Sequence, residues 1–143
     1  MRVALRVPFD IQLQVIEHCR AQLPNQACGL LLFDEQGVAR AVECTPNAGA
    51  WPYGFQIPPE SMYQAFTAAR AKGLRVQSVY HCHAVSVAVP TGRDLDRPVP
   101  PGYLYLIVSL LDPNAPELRG FLLEGSRARE VNLETGEPLQ VTA

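Results

Sequence analysis

The sequence predicts one domain, spanning 1–143, of the α+β or mixed α/β class, with a mostly β core flanked by helices. Two stretches repeat apolar residues at helical spacing, and several short runs alternate or are continuously apolar in the manner of strands. Their order is helix, two strands, helix, then several strands, with no internal repeat. At 48% hydrophobic and 18% charged residues over 143 positions, the composition excludes disorder and leaves enough apolar surface for a real core.

Phe9, Leu13, Ile16, Cys19 and Leu23 recur at helical spacing, Pro8 stands near the start and Pro24 closes the run, which predicts a helix over 9–22. "CGLLLFD" (28–34) is a short apolar run, "GVARAVEC" (37–44) alternates, and "EQG" lies between them, so the pair reads as a hairpin. The proline- and glycine-rich "TPNAGAWPYG" (45–54) is a loop. A second helix is predicted within 58–73, with Met62, Phe66 and Ala69 on one face. Pro59 sits in its first turn, Glu60 suits the positive helix end, and Gly73 stops it. "LRVQSVYHCH" (74–83) reads as a strand, and 84–102 as a long loop with one helical turn near Asp94. Strands follow at 103–111, 118–124 and 128–133, the first two separated by "LDPNAPE".

The net charge is −2 and the twelve basic residues, all arginine but Lys72, are scattered, so nucleic acid is not an expected partner. No run of eighteen apolar residues predicts a membrane span, and the N-terminal "MRVALRVPFD" lacks the pattern of a secretory signal, so the expected location is cytoplasmic. Four cysteines without a C-x-x-C pair are expected to be reduced and mostly buried.

The chemistry concentrates in "VYHCHAVSVAVPTGRDLDRP" (79–98). On a strand, residues i and i+2 share a face, so His81 and His83 can present two nitrogens to one point while Cys82 faces the core. Two imidazoles and one carboxylate form a common catalytic zinc set, with a fourth position for a water whose pKa zinc lowers to about 7. Asp94 is the nearest carboxylate that a loop can return to the histidines, with Asp96 and Asp34 as weaker candidates. Spacing alone also fits a polar strand surface. His18 has no partner in sequence and reads as an exposed helix residue.

In this stretch the chain resembles the JAMM/MPN+ zinc metallopeptidases, whose motif is H-x-H-P, six residues, then S-x-x-D. His81-Cys82-His83-Ala84, six residues, then Thr91-Gly92-Arg93-Asp94 keeps both histidines and the aspartate in register. "LPNQACGLLL" is similar to the family's P-x-E-x-C-G-L-L segment. "PNAGAWPYGFQIPPES" and "PGYLYLIVSL" are similar to the segment before the second helix and to the strand after the metal loop. The resemblance runs from about residue 7 to 133 and is greatest to the short stand-alone bacterial members. It implies a curved sheet between helices in the cytidine-deaminase-like style. It implies one Zn²⁺ held by His81, His83 and Asp94 plus water, and hydrolysis after the C-terminal Gly-Gly of a ubiquitin-like or sulfur-carrier protein.

Three positions depart from the pattern. Gln26 stands where the family has a general-base glutamate, and an amide cannot shuttle a proton at neutral pH. General acid–base groups are worth about 10²–10⁴-fold in rate, so this chain is expected to be impaired. An introduced near-isosteric change and a natural loss both explain the glutamine. Thr91 replaces the serine that would stabilise the oxyanion and keeps its hydroxyl; Ala84 replaces the proline. An alternative reading follows from Gln26: a non-catalytic module that binds a ubiquitin-like tail or a partner protein.

The resemblance also implies an extended approach of the tail along a strand edge, with loops 46–56 and 84–93 as walls. Trp51, Tyr53 and Phe55 then either touch a substrate protein or anchor their loop in the core. Base deamination is excluded, because it needs H-x-E with P-C-x-x-C and neither is present. Cys28 and Cys82 lie in apolar strand-like runs with no cue for an activated thiolate.

Overall fold

A computed structural model describes residues 2–49, 55–95, 100, 102–133 and 139–142. The elements are β1 (Arg2–Leu5), α1 (Phe9–Gln22), β2 (Cys28–Phe33), β3 (Ala39–Thr45), α2 (Pro59–Ala71), β4 (Arg75–His83), α3 (Gly92–Leu95), β5 (Leu104–Ser109), β6 (Glu117–Glu124), β7 (Arg127–Val131) and β8 (Leu139–Thr142). Six strands form one sheet in the order β3-β2-β4-β5-β6-β7. Only β4 and β5 pair in parallel; the other neighbours are antiparallel. No helix among the described residues is long and apolar enough to cross a membrane.

The sheet is covered on both faces, so its mostly apolar central strands are buried, β2 and β5 along their whole length. Alternation divides them. Leu31, Tyr80, Cys82, Leu106 and Val108 pack with Ile11, Val15 and Cys19 of α1. Leu30, Leu32, Val79, Tyr105 and Ile107 pack with Ala65 and Ala69 of α2. His81 and His83, one residue out of phase with Tyr80 and Cys82, therefore belong to the α2 face.

The first helix has the predicted bounds but a different buried stripe. Ile11, Gln12, Val15 and Cys19 face the sheet, while Phe9 is 63% and Leu13 is 54% exposed. Periodicity fixes a helix; which stripe docks is decided by fit against the sheet. Gln12 is buried at little cost because its amide donates to the carbonyls of Val7 (2.9 Å) and Leu133 (3.1 Å). In α2, likewise, Ala65 and Ala69 are buried and Phe66 is exposed. Small residues let this helix approach the sheet closely. Gly73 follows it with φ 69°, a conformation that suits glycine at a helix end.

Two elements escape the sequence pattern. β1 and β8 pair antiparallel, Arg2 opposite Thr142, from the two extremes of the described chain, and no local periodicity announces such a pairing. His18 is not the exposed residue expected from sequence. Its Nδ1 is 2.7 Å from the Tyr80 hydroxyl, the rings meet edge-on, and burial lowers its pKa. Cys19, Cys28 and Cys82 are buried and Cys44 is exposed, all four as free thiols. Trp51, Tyr53 and Asp96 lie outside the described residues.

Gly29 admits the Tyr80 ring: a Cβ there would lie 2.5 Å from two of its carbons. Gly29→Ala is expected to destabilise the protein by roughly 1–3 kcal/mol through overpacking. Denaturant unfolding checks this, and an unchanged midpoint contradicts the packing described.

Candidate metal centre

His81 and His83 close β4, where the strand leaves the sheet. The parallel partner β5 begins only at Leu104, so residues 84–103 must cross from one strand to the next. That crossover is pinned. The Ser109 hydroxyl donates to the Ser86 carbonyl (2.6 Å), and His83 Nδ1 donates to the Val87 carbonyl (2.8 Å). It delivers the single turn α3 and, with it, Asp94.

Thr91 and Asp94 form a reciprocal cap. The Thr91 N–H donates to Asp94 Oδ2 (2.7 Å), and the Asp94 N–H reaches back to Thr91 Oγ1 (3.4 Å). The Thr91 hydroxyl also donates to Oδ2 (3.2 Å), and the Tyr105 hydroxyl from β5 donates to Oδ1 (3.1 Å). The T-x-x-D spacing thus has a local reason: it closes a helix turn and sets the rotamer of the carboxylate.

So held, Asp94 faces both histidines. Oδ1 lies 3.1 Å from His81 Nε2, and Oδ2 lies 3.3 Å from His83 Nε2. One ligand atom from each of the three residues falls within 4.8 Å of the others, and all three residues are buried. Phe55 stacks on His81 at 4.4 Å between ring centroids, with 20° between planes. Burial pushes the Asp94 pKa up, but the hydrogen bonds to His81 and His83 outweigh it and hold the carboxyl well below its ordinary range. Burial pushes His83 down, while Asp94 and the Val87 carbonyl push it up and prevail.

This geometry tests whether a cation fits. A carbonyl can only accept, so His83 Nδ1 must carry the hydrogen, and Nε2 of the neutral ring carries a lone pair. That lone pair faces a carboxylate oxygen 3.3 Å away. Two acceptors so placed require a cation between them, either a proton or a metal. Two imidazoles and one carboxylate suit a first-row divalent ion, and the Nδ1–carbonyl bond is the usual outer support of a ligating histidine.

Gln26, just ahead of β2, is only 6% exposed and shares a cavity of about 570 Å³ with His81, His83, Thr91 and Asp94. Its backbone carbonyl accepts from Asn47 Nδ2 (2.8 Å). All five residues singled out in the sequence therefore meet at one place. Asp34 does not: it holds the β2–β3 turn through Arg40 (2.7 Å) and the Gln36 and Val38 N–H groups. Phe55 is buried against His81, so of its two sequence readings the anchoring one holds. Sequence reasoning missed Tyr105, two positions before the strand residue paired with His81 and on the same face. It also missed Val85, which lines the cavity and is 57% exposed. A larger groove of about 850 Å³ between α1 and the β6–β7 edge contains none of the candidate ligands.

The chain is similar to known proteins in sequence and in fold. The family described as prokaryotic homologs of the JAB domain matches residues 8–123. A desampylase of Haloferax volcanii is 29% identical over 111 residues, 73% of this chain and 80% of the relative. A CysO-cysteine peptidase of Mycobacterium tuberculosis is 27% identical over 129 residues, 88% of each. Among solved structures, a protein from Desulfitobacterium hafniense superposes with a TM-score of 0.78 at 27% identity, covering 90% of this chain and 94% of that one. A JAB1/MPN domain protein from Archaeoglobus fulgidus, 18% identical, shares the fold with a TM-score of 0.60 over 92% and 96% of the two chains. The six-stranded sheet between α1 and α2 is thus a JAB1/MPN fold, and the chain belongs to the prokaryotic JAB-domain family of the JAMM/MPN group.

Proposed function

We propose that this chain is a hydrolase of the JAMM type, acting after the C-terminal Gly-Gly of a ubiquitin-like or sulfur-carrier protein at a zinc held by His81, His83 and Asp94. The observation that carries the reading is the convergence of three buried ligand atoms in which acceptor faces acceptor. The names of the relatives, a desampylase and a CysO-cysteine peptidase, support the substrate class. When bound, zinc supplies a Lewis acid that polarises the scissile carbonyl and acidifies water.

The chain's own residues do the rest. Thr91 can turn its hydroxyl from Asp94 toward a developing oxyanion, because its backbone N–H at 2.7 Å still holds Oδ2. β3 is one edge of the sheet, and Thr45 at its end pairs with Cys28, which in turn pairs with His81. A tail added to that edge lies three strand spacings, roughly 14 Å, from the histidine strand. Glycine suits this approach because it makes backbone hydrogen bonds without needing a side-chain pocket. The exposed Val85 in the cavity lining offers the body of the partner an apolar contact.

Gln26 limits the rate. It lines the cavity, and its amide takes no proton. The same residue favours a second reading, a module that holds the tail uncut.

The protein is expected to bind one equivalent of zinc, and His81→Ala and Asp94→Ala are each expected to abolish stoichiometric uptake, measured by metal analysis after dialysis. A protein that takes up no metal sinks the hydrolase reading. Cleavage of a reporter fused after a Gly-Gly tail separates the two functions. Gln26→Glu is expected to cut about 10²–10⁴-fold faster than the unaltered chain, whereas a binding module retains the tail and cuts it in neither form.

A further inference from the structure

Asn47 stands just past β3, where the strand ladder breaks. β3 ends at Thr45, opposite Cys28, and Pro46 has no N–H with which to continue the pairing. Carried on past Cys28, the same register sets Gln26 beside Asn47 on one side and beside His83 on the other. Toward β4 the backbone holds one residue further, since the Cys82 N–H donates to the Ala27 carbonyl at 3.0 Å. Toward β3 a side chain takes over: Asn47 Nδ2 donates to the Gln26 carbonyl at 2.8 Å. The oxygen of the same carboxamide accepts from the Gly49 N–H at 3.0 Å and from the Gln56 N–H at 2.9 Å. The Ala48 N–H donates to the Gln56 carbonyl at 2.8 Å, so the chain at 56 is drawn back against 47–49. Phe55, the residue before Gln56, is buried and stacks on His81. Gln26 and Phe55 both line the cavity of the candidate ligands.

We propose that Asn47 is a positioning residue for this cavity, its NH₂ fixing the main chain at position 26 and its oxygen fixing the arm that carries Phe55. The inference rests on the functional reading above and deepens it, by naming what sets the general-base position against the ligands. Asparagine suits the task because it carries a donor and an acceptor on one planar group. Neither end of that group moves without the other, so the wall that would transfer the proton and the ring that covers His81 are spaced by one rigid unit. Proton transfer needs heavy atoms about 2.6–3.2 Å apart, and a misplacement of about 1 Å costs about 10²-fold in rate.

Two variants test the two ends separately. Asn47→Asp removes the donor and keeps the accepting oxygen; Asn47→Ala removes both. In nuclear magnetic resonance spectra of the metal-free chain, both variants are expected to move the Gln26 carbonyl carbon upfield, as a lost hydrogen bond does. The His81 ring protons are expected to move downfield only in Asn47→Ala, where the Phe55 ring is released. A residue that merely stabilises its loop would disturb both signals together in each variant, and that pattern overturns the proposal, as does an unmoved Gln26 carbonyl. In the Gln26→Glu chain, each variant is expected to lower kcat for the Gly-Gly reporter about 10–100-fold with KM nearly unchanged; an unchanged kcat overturns the proposal. If Gln26→Glu itself cuts no reporter, the hydrolase reading fails, and the spectra alone decide the role of Asn47. Should neither variant fold, hydrogen exchange of the Asn47 side-chain amide in the unaltered chain decides: exchange slower than in free asparagine supports the proposal, and exchange at the free rate overturns it.

Discussion

A buried carboxylate set against two imidazole nitrogens is the constraint on which this end of the molecule depends. Asp94 is 4% exposed, His83 is as buried, and His81 more so. Burying such groups unpaired is costly, and the arrangement persists because almost every polar atom around it is directed at the carboxylate. Thr91 supplies two donors, Tyr105 a third, and the histidines turn their Nε2 atoms inward. The Val87 carbonyl fixes which His83 nitrogen does so. With Phe55 laid over His81, the site has a low-dielectric wall that strengthens each of these interactions.

Topology explains why the aspartate comes from so far along the chain. Antiparallel neighbours can be joined by a tight turn, but the parallel pair β4–β5 needs a crossover. In this fold the crossover begins directly after the second histidine and carries Thr91 and Asp94 back to it. The one parallel pairing in the sheet and the one ligand cluster among the described residues thus have a common origin. The alternation of β4 completes the division of labour. Tyr80 and Cys82 serve the α1 core, while His81 and His83 face the cavity, so chemistry and packing occupy successive residues of a single strand.

Gln26 gives the site its functional ambiguity. It is buried in the cavity wall, and under the proposed function, which needs a proton acceptor there, an amide keeps the shape of a glutamate while removing its basicity. The proposed function puts two duties on Thr91 in tension, since the hydroxyl that would meet an oxyanion is also bonded to Asp94. The backbone N–H, shorter at 2.7 Å, relieves that tension by holding the carboxylate independently.

Much of this was legible in the sequence, because local chemistry writes itself locally. The helix bounds at 9–22, the β2–β3 hairpin, the helical turn at Asp94 and the H-x-H pair on one strand face follow from periodicity, proline and glycine placement and the alternation of a strand. The T-x-x-D spacing is itself a local cap. What tertiary structure alone decided has a common cause: it depends on which surfaces meet. The docked stripe of α1 runs through Ile11, Val15 and Cys19 rather than Phe9 and Leu13, and α2 docks through alanines, because close fit to the sheet outweighs side-chain size. His18 finds Tyr80 sixty-two residues away, β1 finds β8 across the chain, and Tyr105 reaches Asp94 from a neighbouring strand. Sequence specifies the groups and their faces; only the packed sheet brings them within bonding distance, because hydrogen bonds act over about 3 Å whatever the separation along the chain.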